Sequence, residues 1–276
     1  SASLPLIYLT GQTKPNPMTA PNFCMLLRKH FASARILSVT QPGLERIVDI
    51  KIEHLDELSD TRVKHLLVEI MGKHSNIILC DDENRIIDSI KHISGAVSSV
   101  REVLPGREYF IPKTQEKYDP LTVTAQEFLD NIAGKPLPAA KALYQGLTGI
   151  SPLIANELCH MAGIDADQPA HTLPEEFALH LFHCLGDLTQ RIKNADFSPN
   201  IVYRDGTPIE FSSLPLTCYN DFEGASTKNY DSVSVLLEDY YAARSKFTRI
   251  RQKSADLRRV ITNAIERAGK KYDLQQ

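Results

Sequence analysis

The segment that most constrains the fold of this chain is a pair of apolar runs joined by a short polar insert. Leu67–Ile70 and Ile77–Leu79 flank Gly72–Asn76, which carries glycine, lysine, histidine, serine and asparagine. Gly72 can take the positive φ angle of a tight connection, and serine and asparagine side chains can hydrogen-bond their own backbone there. The pattern predicts a strand, a turn and a strand, with a cationic tip on a rigid base. An exposed polar turn without a function is the alternative that the pattern leaves open.

Short apolar runs separated by polar turns continue on both sides of this segment. Strands are predicted at Leu4–Thr10, Arg35–Thr40, Arg46–Ile52, Val63–Ile70, Asn76–Cys80 and Arg85–His92. A helix is predicted over Asn22–Phe31, because Pro21 suits a first helical position and the apolar residues follow a helical period. Successive short strands with short turns indicate an antiparallel meander and not a parallel α/β sheet.

The character of the chain changes after this β-rich region. Thr124 and Glu127 form a capping pattern, and the period is helical from there to Ile192. The pair Asp205-Gly206 predicts a β-hairpin, and apolar residues from Leu236 to Ala268 alternate steps of four and three, as in a coiled coil. We therefore predict an α+β protein with four parts: residues 1–118 are β-rich, 119–196 helical, 197–231 a β-hairpin connector and 232–276 a coiled-coil arm. The first strand has no start signal and the seam has no stop, so we expect more sequence on both sides in a longer protein.

Charge and cysteine content narrow the classes of function. The net charge is −3, but the segment Arg244–Lys271 holds ten cations and two acids, which indicates a directed contact with a polyanion. No apolar run approaches the roughly 20 residues that cross a bilayer, and no signal-peptide pattern opens the chain. Five cysteines without a CxxC pair favour reduced thiols. We expect a cytoplasmic protein without a membrane partner.

A glycine-containing turn between two predicted helices is a candidate phosphate site. Thr148, Gly149 and Ser151 resemble the turn of a helix-hairpin-helix motif, whose backbone N–H groups approach a nucleic-acid backbone closely. Ser151 stands where a second glycine is usual. An ordinary corner between helices is the alternative. If the turn binds nucleic acid, it contacts phosphates without reading sequence.

Catalytic and metal-binding patterns are weak. His180, His183 and Cys184 share a helical face, but structural zinc sites usually bring paired ligands at CxxC-like spacing, so no metal is predicted. No P-loop, GxGxxG, HExxH or Ser/His/Asp signature occurs, and the chain is predicted to be a binding protein without a cofactor and not an enzyme. Arg46, at the start of a strand beside Glu45, could present a guanidinium fork to phosphate or base. A surface ion pair is the alternative.

Several segments together resemble the NFACT family. They are Pro21–His30, Gly43–Val48, Glu69–Leu79 and Asp88–His92, of which Glu69–Leu79 is the most specific. The resemblance covers nearly the whole chain, as the family's N-terminal domain, its helix-hairpin-helix domain and the first arm of its coiled coil. It implies that the β-rich part resembles the N-terminal fold of formamidopyrimidine DNA glycosylases. Glycosylase activity is not expected, because the N-terminal proline nucleophile is absent.

The resemblance also implies a function. Members of the family bind a large ribosomal subunit obstructed by peptidyl-tRNA, recruit tRNA, and support template-free addition of C-terminal residues, mainly alanine from tRNA-Ala in bacteria. The family's Asp-Arg pair for tRNA handling falls on Glu45-Arg46, where the acid is one methylene longer. The residues predicted to bind tRNA are Glu45, Arg46, Glu69, Met71, Lys73 and His74.

Two other functions remain open at this point. The first is a cell-surface adhesin that binds fibronectin, after an old label of the family, although no signal or anchor pattern favours it. The second is a DNA-repair-like enzyme, which would have to excise bases from damaged duplex.

Overall fold

The structure is a computed structural model that describes residues 5–13, 15–112, 116–243 and 262. The chain divides into two compact units, one that runs mainly from Gln12 to Lys193 and one that runs from Asn194 onward and includes Tyr8–Gly11. The predicted coiled-coil seam beyond residue 243 and the basic segment Arg244–Lys271 lie outside the described residues, apart from Thr262. The described part is α+β with antiparallel sheets.

A five-stranded antiparallel sheet forms the base of the first unit, and each strand pairs with the next along the chain. Its strands are β1 (Arg35–Thr40), β2 (Ile47–Leu55), β3 (Thr61–Glu69), β4 (Asn76–Asp81) and β5 (Ile86–Ser89). They follow helix α1 (Asn22–Phe31). The predicted meander is confirmed, and the predicted strand ends from Arg35 onward differ from the observed ones by at most three residues.

The pairing register decides which side chains share a face of this sheet. Asp49 of β2 pairs with Leu67 of β3, and Leu67 pairs with Ile78 of β4. Because alternate residues of a strand point to opposite faces, these side chains lie on one face, called here the core face. A cluster of buried side chains closes the core face: Leu67, Ile78, Cys80, Ile86 and Val103, with Ile93 and Tyr109 packed against it.

The irregular segment between β5 and residue 112 supplies the cover of the core face. Ile93 and Val103 exchange two backbone hydrogen bonds of 3.0 and 2.7 Å, and Val103 is fully buried. The Ile86 N–H donates to the Arg107 carbonyl at 2.8 Å, which ties the segment to the first residue of β5. The polar, proline-containing stretch from Ser94 to Pro112 is therefore packed on the sheet, although it has no regular strand or helix.

Helices follow in the same unit. They are α2 (Ala125–Phe128) with a π-helical turn at Leu129–Ala133, α3 (Ala139–Gly146), α4 (Pro152–Met161), a 3-10 turn at Ala170–Thr172, and α5 (Glu175–Lys193). The predicted capping pattern is confirmed at α2. The Glu127 N–H donates to the Thr124 hydroxyl at 3.3 Å, and the Thr124 N–H donates to the Glu127 carboxylate at 2.9 Å. This reciprocal pair satisfies two N–H groups that the first helical turn leaves open.

The second unit contains a three-stranded antiparallel sheet in the order β7, β6, β8. Its strands are β6 (Asn200–Arg204), β7 (Thr207–Ser212) and β8 (Ala225–Asn229), and the described chain is helical from residue 233 to 243. The predicted hairpin is confirmed at Asp205 and Gly206, which both have positive φ, 49° and 75°. Positive φ at both central residues is the requirement of the two-residue turn that suits twisted strands.

The strand predicted at Leu4–Thr10 is wrong for the part that the structure describes, because residues 5–10 have no strand pairing. Leu9 and Thr10 belong to the second unit and are instead bonded to helical residues of that unit. The Leu9 N–H donates to the Ser234 hydroxyl at 3.0 Å, and the Thr10 hydroxyl donates to the Glu238 carboxylate.

All five cysteines are free thiols. Cys80, Cys159 and Cys184 are buried, whereas Cys24 and Cys218 are half-buried. Burial raises the pKa of the Cys80 thiol to about 12 and that of Cys159 to about 11, with small contributions from nearby carboxylates. Within the described part of the chain, no helix has the length and apolar content needed to cross a membrane.

Candidate nucleic-acid interface

Arg46 and the turn after β3 meet at one end of the five-stranded sheet. The Ile70 N–H donates to the Arg46 carbonyl at 2.8 Å, and the next pair in the register is Ile47 with Glu69. The chain therefore enters β2 directly beside the point at which it leaves β3. Arg46 is exposed and Glu45 is half-buried.

The turn that carries Lys73 and His74 is fixed by its own polar atoms. Gly72–His74 is a 3-10 turn, and Gly72 has a φ of 58°. The Ser75 hydroxyl accepts from the Met71 N–H at 2.9 Å and donates to the Gly72 carbonyl at 2.7 Å. Lys73 and His74 are exposed, so their side chains point away from the protein core. The sequence predicted this turn and its glycine.

Asn76 joins the turn to a further cation, Lys91, which the sequence does not predict as part of the site. The Asn76 amide donates to the Lys91 carbonyl at 2.9 Å and accepts from the Lys91 N–H at 3.0 Å. The Lys91 ammonium donates to the Lys73 carbonyl at 3.1 Å. The sequence signal for Lys91 is its place in the family motif Asp88–His92, for which no contact is predicted. We call the group Arg46, Lys73, His74 and Lys91 the cationic end of the sheet.

Glu69 has a different environment from the other predicted tRNA-binding residues. Its side chain has no exposed surface, and its two carboxylate oxygens accept from Arg101 Nη2 at 2.6 and 2.5 Å. The Tyr109 hydroxyl donates to the same carboxylate at 2.9 Å. This placement does not fit the direct tRNA contact predicted for Glu69. Its contacts instead assign Glu69 a supporting role inside the protein. Met71 is half-buried.

The buried triad of Glu69, Arg101 and Tyr109 is charged and internally satisfied. Burial lowers the pKa of Arg101, but the hydrogen bond and charge of Glu69 outweigh burial and raise it. Burial, followed by the charge of Glu69, raises the pKa of Tyr109. The phenol therefore stays protonated, and its O–H donates a hydrogen bond to Glu69. A buried ion pair of this kind contributes little net stability against an apolar pair, but removing one partner is costly. The hydrogen bonds of the triad therefore hold its three side chains in one arrangement at this end of the sheet.

The turn between α3 and α4 also lies at this end. Gly149 has a φ of 75°, and a Cβ placed on it would lie 2.6 Å from the Leu44 carbonyl oxygen. The Thr148 N–H donates to the Tyr118 carbonyl at 2.9 Å, and the Ser151 hydroxyl caps α4 by accepting from the Ile154 N–H at 3.2 Å. Two helices with a glycine turn are thus present, and Gly149 faces Leu44. A contact of Thr148, Gly149 and Ser151 with a nucleic-acid backbone stays a prediction.

The predicted residues are consequently brought together, although they come from separate parts of the sequence. Leu44, which Gly149 approaches, lies two residues before Arg46, and Arg46 bonds the strand that leads into the Gly72 turn. No cluster of three or more His, Cys, Asp or Glu side chains suited to a metal occurs among residues that the structure describes. The arrangement offers the exposed side chains of Arg46, Lys73 and His74 at one end of a hydrogen-bonded sheet, and cationic side chains are common contacts to phosphate.

Two bacterial proteins are similar in sequence to this chain along most of its length, and a human protein is similar to about half of it. The chain is 37% identical over 258 residues to a Bacillus subtilis protein named "Rqc2 homolog RqcH" and 28% identical over 271 residues to one of the same name from Streptococcus suis. These matches cover 93% and 98% of the chain but only 42% and 44% of the relatives, so the chain spans less than half their length. The human protein named "Ribosome quality control complex subunit NEMF" is 28% identical over 130 residues, which is 47% of the chain and 11% of that protein.

Solved structures share the fold. A protein described as the fibrinogen binding protein from Staphylococcus aureus matches with a TM-score of 0.67 and 31% identity, over 83% of this chain and 76% of that one. The N-terminal part of the fibronectin/fibrinogen-binding protein from Streptococcus suis matches with a TM-score of 0.66 and 28% identity, over 85% and 78%. The family model described as NFACT N-terminal and middle domains matches residues 1–276. On this match over the whole chain, the chain belongs to the NFACT family.

Proposed function

We propose that this chain is the RNA-binding N-terminal part of a ribosome-associated quality-control factor, and that its cationic end engages tRNA. The observation that carries the proposal is the convergence of Arg46, Lys73, His74 and Lys91 on one end of a sheet. The names of the relatives in Bacillus subtilis and human support the same process.

The physical basis is a set of cations held on a rigid support. The Arg46 side chain is exposed, and its backbone is fixed by the 2.8 Å bond from Ile70. Lys73 lies on a turn whose backbone is bonded by Ser75 and Lys91. Cations that are positioned before binding lose less conformational freedom when they meet phosphates, and each neutralised phosphate releases counterions.

In this proposal the chain binds and positions RNA and performs no covalent step. The whole protein would bind a large ribosomal subunit obstructed by peptidyl-tRNA, in the cytoplasm, and bring tRNA-Ala to it. The ribosome would then transfer the nascent chain to alanine, which gives template-free C-terminal tails. The exposed side chains of Arg46, Lys73 and His74 suit such a role, because cationic side chains are common contacts to nucleic-acid phosphates.

The first test measures tRNA binding by this chain as a function of salt, with two variants of equal charge change. Arg46→Ala should weaken binding and lower the salt slope by about one unit, because one phosphate contact is removed. Arg62→Ala is the matched control, since Arg62 is exposed, pairs with Asp56 and lies at the start of β3, at the end of that strand away from Glu69. Equal losses in the two variants, or no tRNA binding at low salt, would overturn the proposal.

A second candidate function is adhesion to fibronectin or fibrinogen, which the descriptions of the two solved structures name for those proteins. The comparison is direct, because the same wild-type chain can be titrated with fibronectin, fibrinogen and tRNA at physiological salt. Tight binding of fibronectin that Arg46→Ala leaves unchanged, together with no tRNA binding, would favour adhesion. Binding of tRNA alone would exclude adhesion as the function of this part.

A further inference from the structure

A cavity of about 320 Å³ lies on the core face, next to the cationic end but distinct from it. Its floor is apolar and comes from Ile47 of β2 and Leu67 of β3, which are 1% and 5% exposed. Its far wall is the segment that contains Tyr109 and Phe110. Ligand cavities in proteins are typically of this size or larger, mostly apolar, with a few polar groups that orient the occupant.

Asp49 is the charged group in this cavity, and it is held in a fixed orientation. His65 Nδ1 lies 2.9 Å from each Asp49 carboxylate oxygen. The Asp49 side chain keeps 26% of its surface exposed. A carboxylate can accept about four hydrogen bonds, and one imidazole N–H cannot use them all. Asp49 can therefore accept further N–H donors from an occupant of the cavity.

Phe110 places an aromatic ring at the cavity wall, 49% exposed. Its carbonyl accepts from Arg101 Nη1 at 2.8 Å, while the neighbouring Tyr109 hydroxyl donates to Glu69 at 2.9 Å. The buried triad thus fixes the backbone that carries this ring. An exposed and positioned aromatic ring is the common stacking partner of unpaired bases in RNA recognition.

We propose that this cavity binds one unstacked nucleobase that carries an exocyclic amino group, with the amino group donating to Asp49 and the base lying against Phe110. The inference rests on the proposed function, since Arg46 directly precedes Ile47 of the floor and could hold a phosphate of the same strand. Cytosine fits because its N4 amino group is a donor that aspartate accepts. Uracil has a carbonyl oxygen at that position, and its lone pairs would face the carboxylate.

The test compares three single-stranded RNA oligomers of equal length, made of cytidine, uridine or abasic units, by fluorescence anisotropy with this chain. Wild type should bind the cytidine oligomer about tenfold more tightly than the uridine oligomer, the scale of one well-formed base contact. Asp49→Asn should bring that ratio close to one. Phe110→Ala should weaken both base-bearing oligomers about fivefold and leave the abasic oligomer unchanged.

Glu53→Gln is the matched control, because Glu53 lies on the same strand and face as Asp49, pairs with exposed Arg35 and does not line the cavity. It should keep the tenfold ratio. Thermal unfolding of each variant checks that the fold is retained. If Asp49→Asn does not fold, Phe110→Ala still tests the site, because the Phe110 side chain is half exposed. A wild-type ratio near one, or a tenfold ratio that survives in Asp49→Asn, would overturn the inference.

Free cytidine and uridine, titrated by NMR, separate this inference from the proposed function. Base-blind binding of all three oligomers, with no cytidine binding, would leave tRNA binding intact and overturn the nucleobase site. Cytidine binding that Asp49→Asn removes, with no binding of any oligomer or of tRNA, would support the cavity and overturn the proposed function. Absence of all binding would overturn both.

Discussion

Gly149 lies against the backbone of Leu44, at a distance that excludes any side chain on the glycine. A Cβ at this position would be 2.6 Å from the Leu44 carbonyl oxygen, and the φ of 75° is itself unfavourable for other residues. Leu44 is two residues before Arg46. The turn between α3 and α4 therefore supports the loop from which the arginine emerges.

Gly149→Ala should lower the free energy of unfolding by more than the roughly 1–3 kcal/mol that a positive φ costs a non-glycine residue, because the methyl group also displaces Leu44. Urea denaturation measures this effect. Binding of tRNA should also weaken, since the loop that holds Arg46 moves. Gly163→Ala is the matched control, because Gly163 has a φ of 65° but no atom near a Cβ position. Equal losses of stability in the two variants would show that the contact with Leu44 contributes nothing.

Local chemistry explains which parts of the fold the sequence predicts. The hairpin at Asp205 and Gly206 and the cap at Thr124 each depend on residues within a few positions, so their signals are contained in short windows. The Gly72 turn belongs to the same class. The strands that flank it follow from apolar runs bounded by polar turns.

Long-range partners explain what the sequence does not predict. The family motif predicts that Glu69 contacts tRNA, yet its partners Arg101 and Tyr109 are 32 and 40 residues away in a segment without regular structure. A glutamate at the end of a strand has the same local pattern whether it is exposed or paired in the interior. The sequence does not predict the Asp49 cavity for the same reason, since its walls come from β1, β2, β3, the turn at Asn84 and the distant Tyr109 segment.

Glu69→Gln should destabilise the protein strongly, because it leaves the largely buried Arg101 guanidinium without a counter-charge. The expected loss is roughly 3–5 kcal/mol, the range for removing one partner of a buried ion pair. Chemical denaturation measures the loss. The double variant Glu69→Gln with Arg101→Met should recover part of it, because the unpaired charge is then gone.

Glu83→Gln provides the control for that measurement. Glu83 and Arg85 form an ion pair at 2.8 Å with both side chains 65% exposed, so solvent screens it. Its loss should change stability by less than about 1 kcal/mol. A Glu69→Gln variant as mild as this control would contradict the supporting role of the triad.

The pH dependence of stability near neutrality should depend on His30. Burial lowers the pKa of this histidine below its ordinary 6.5, and the charges of Lys64, His54 and Lys29 lower it further. Below pH 6.5 the unfolded chain takes up a proton that the folded protein resists, so stability falls with pH until the folded pKa is passed. The pKa is also lowered for two carboxyl groups, Asp56 and Glu127, but these change the pH dependence of stability only below about pH 4.5.

His30→Gln should therefore lose less stability than wild type between pH 7.5 and 5.5, measured as the urea midpoint at each pH. His180→Gln removes an exposed histidine of α5 and should retain the wild-type slope. An unchanged slope in His30→Gln would contradict the effect of burial on this side chain.

Thiol reactivity should divide the cysteines by burial. Cys80 is fully buried and its pKa is raised to about 12, so at pH 8 only about one thiol in 10⁴ is a reactive thiolate. Cys159, also fully buried with a pKa of about 11, should be similarly slow. Half-buried Cys24 and Cys218 should be modified first by a maleimide under native conditions, as mass mapping of the labelled peptides would show. In denaturant all five should react at similar rates, and native labelling of Cys80 as fast as Cys24 would show that the core face opens on the timescale of the reaction.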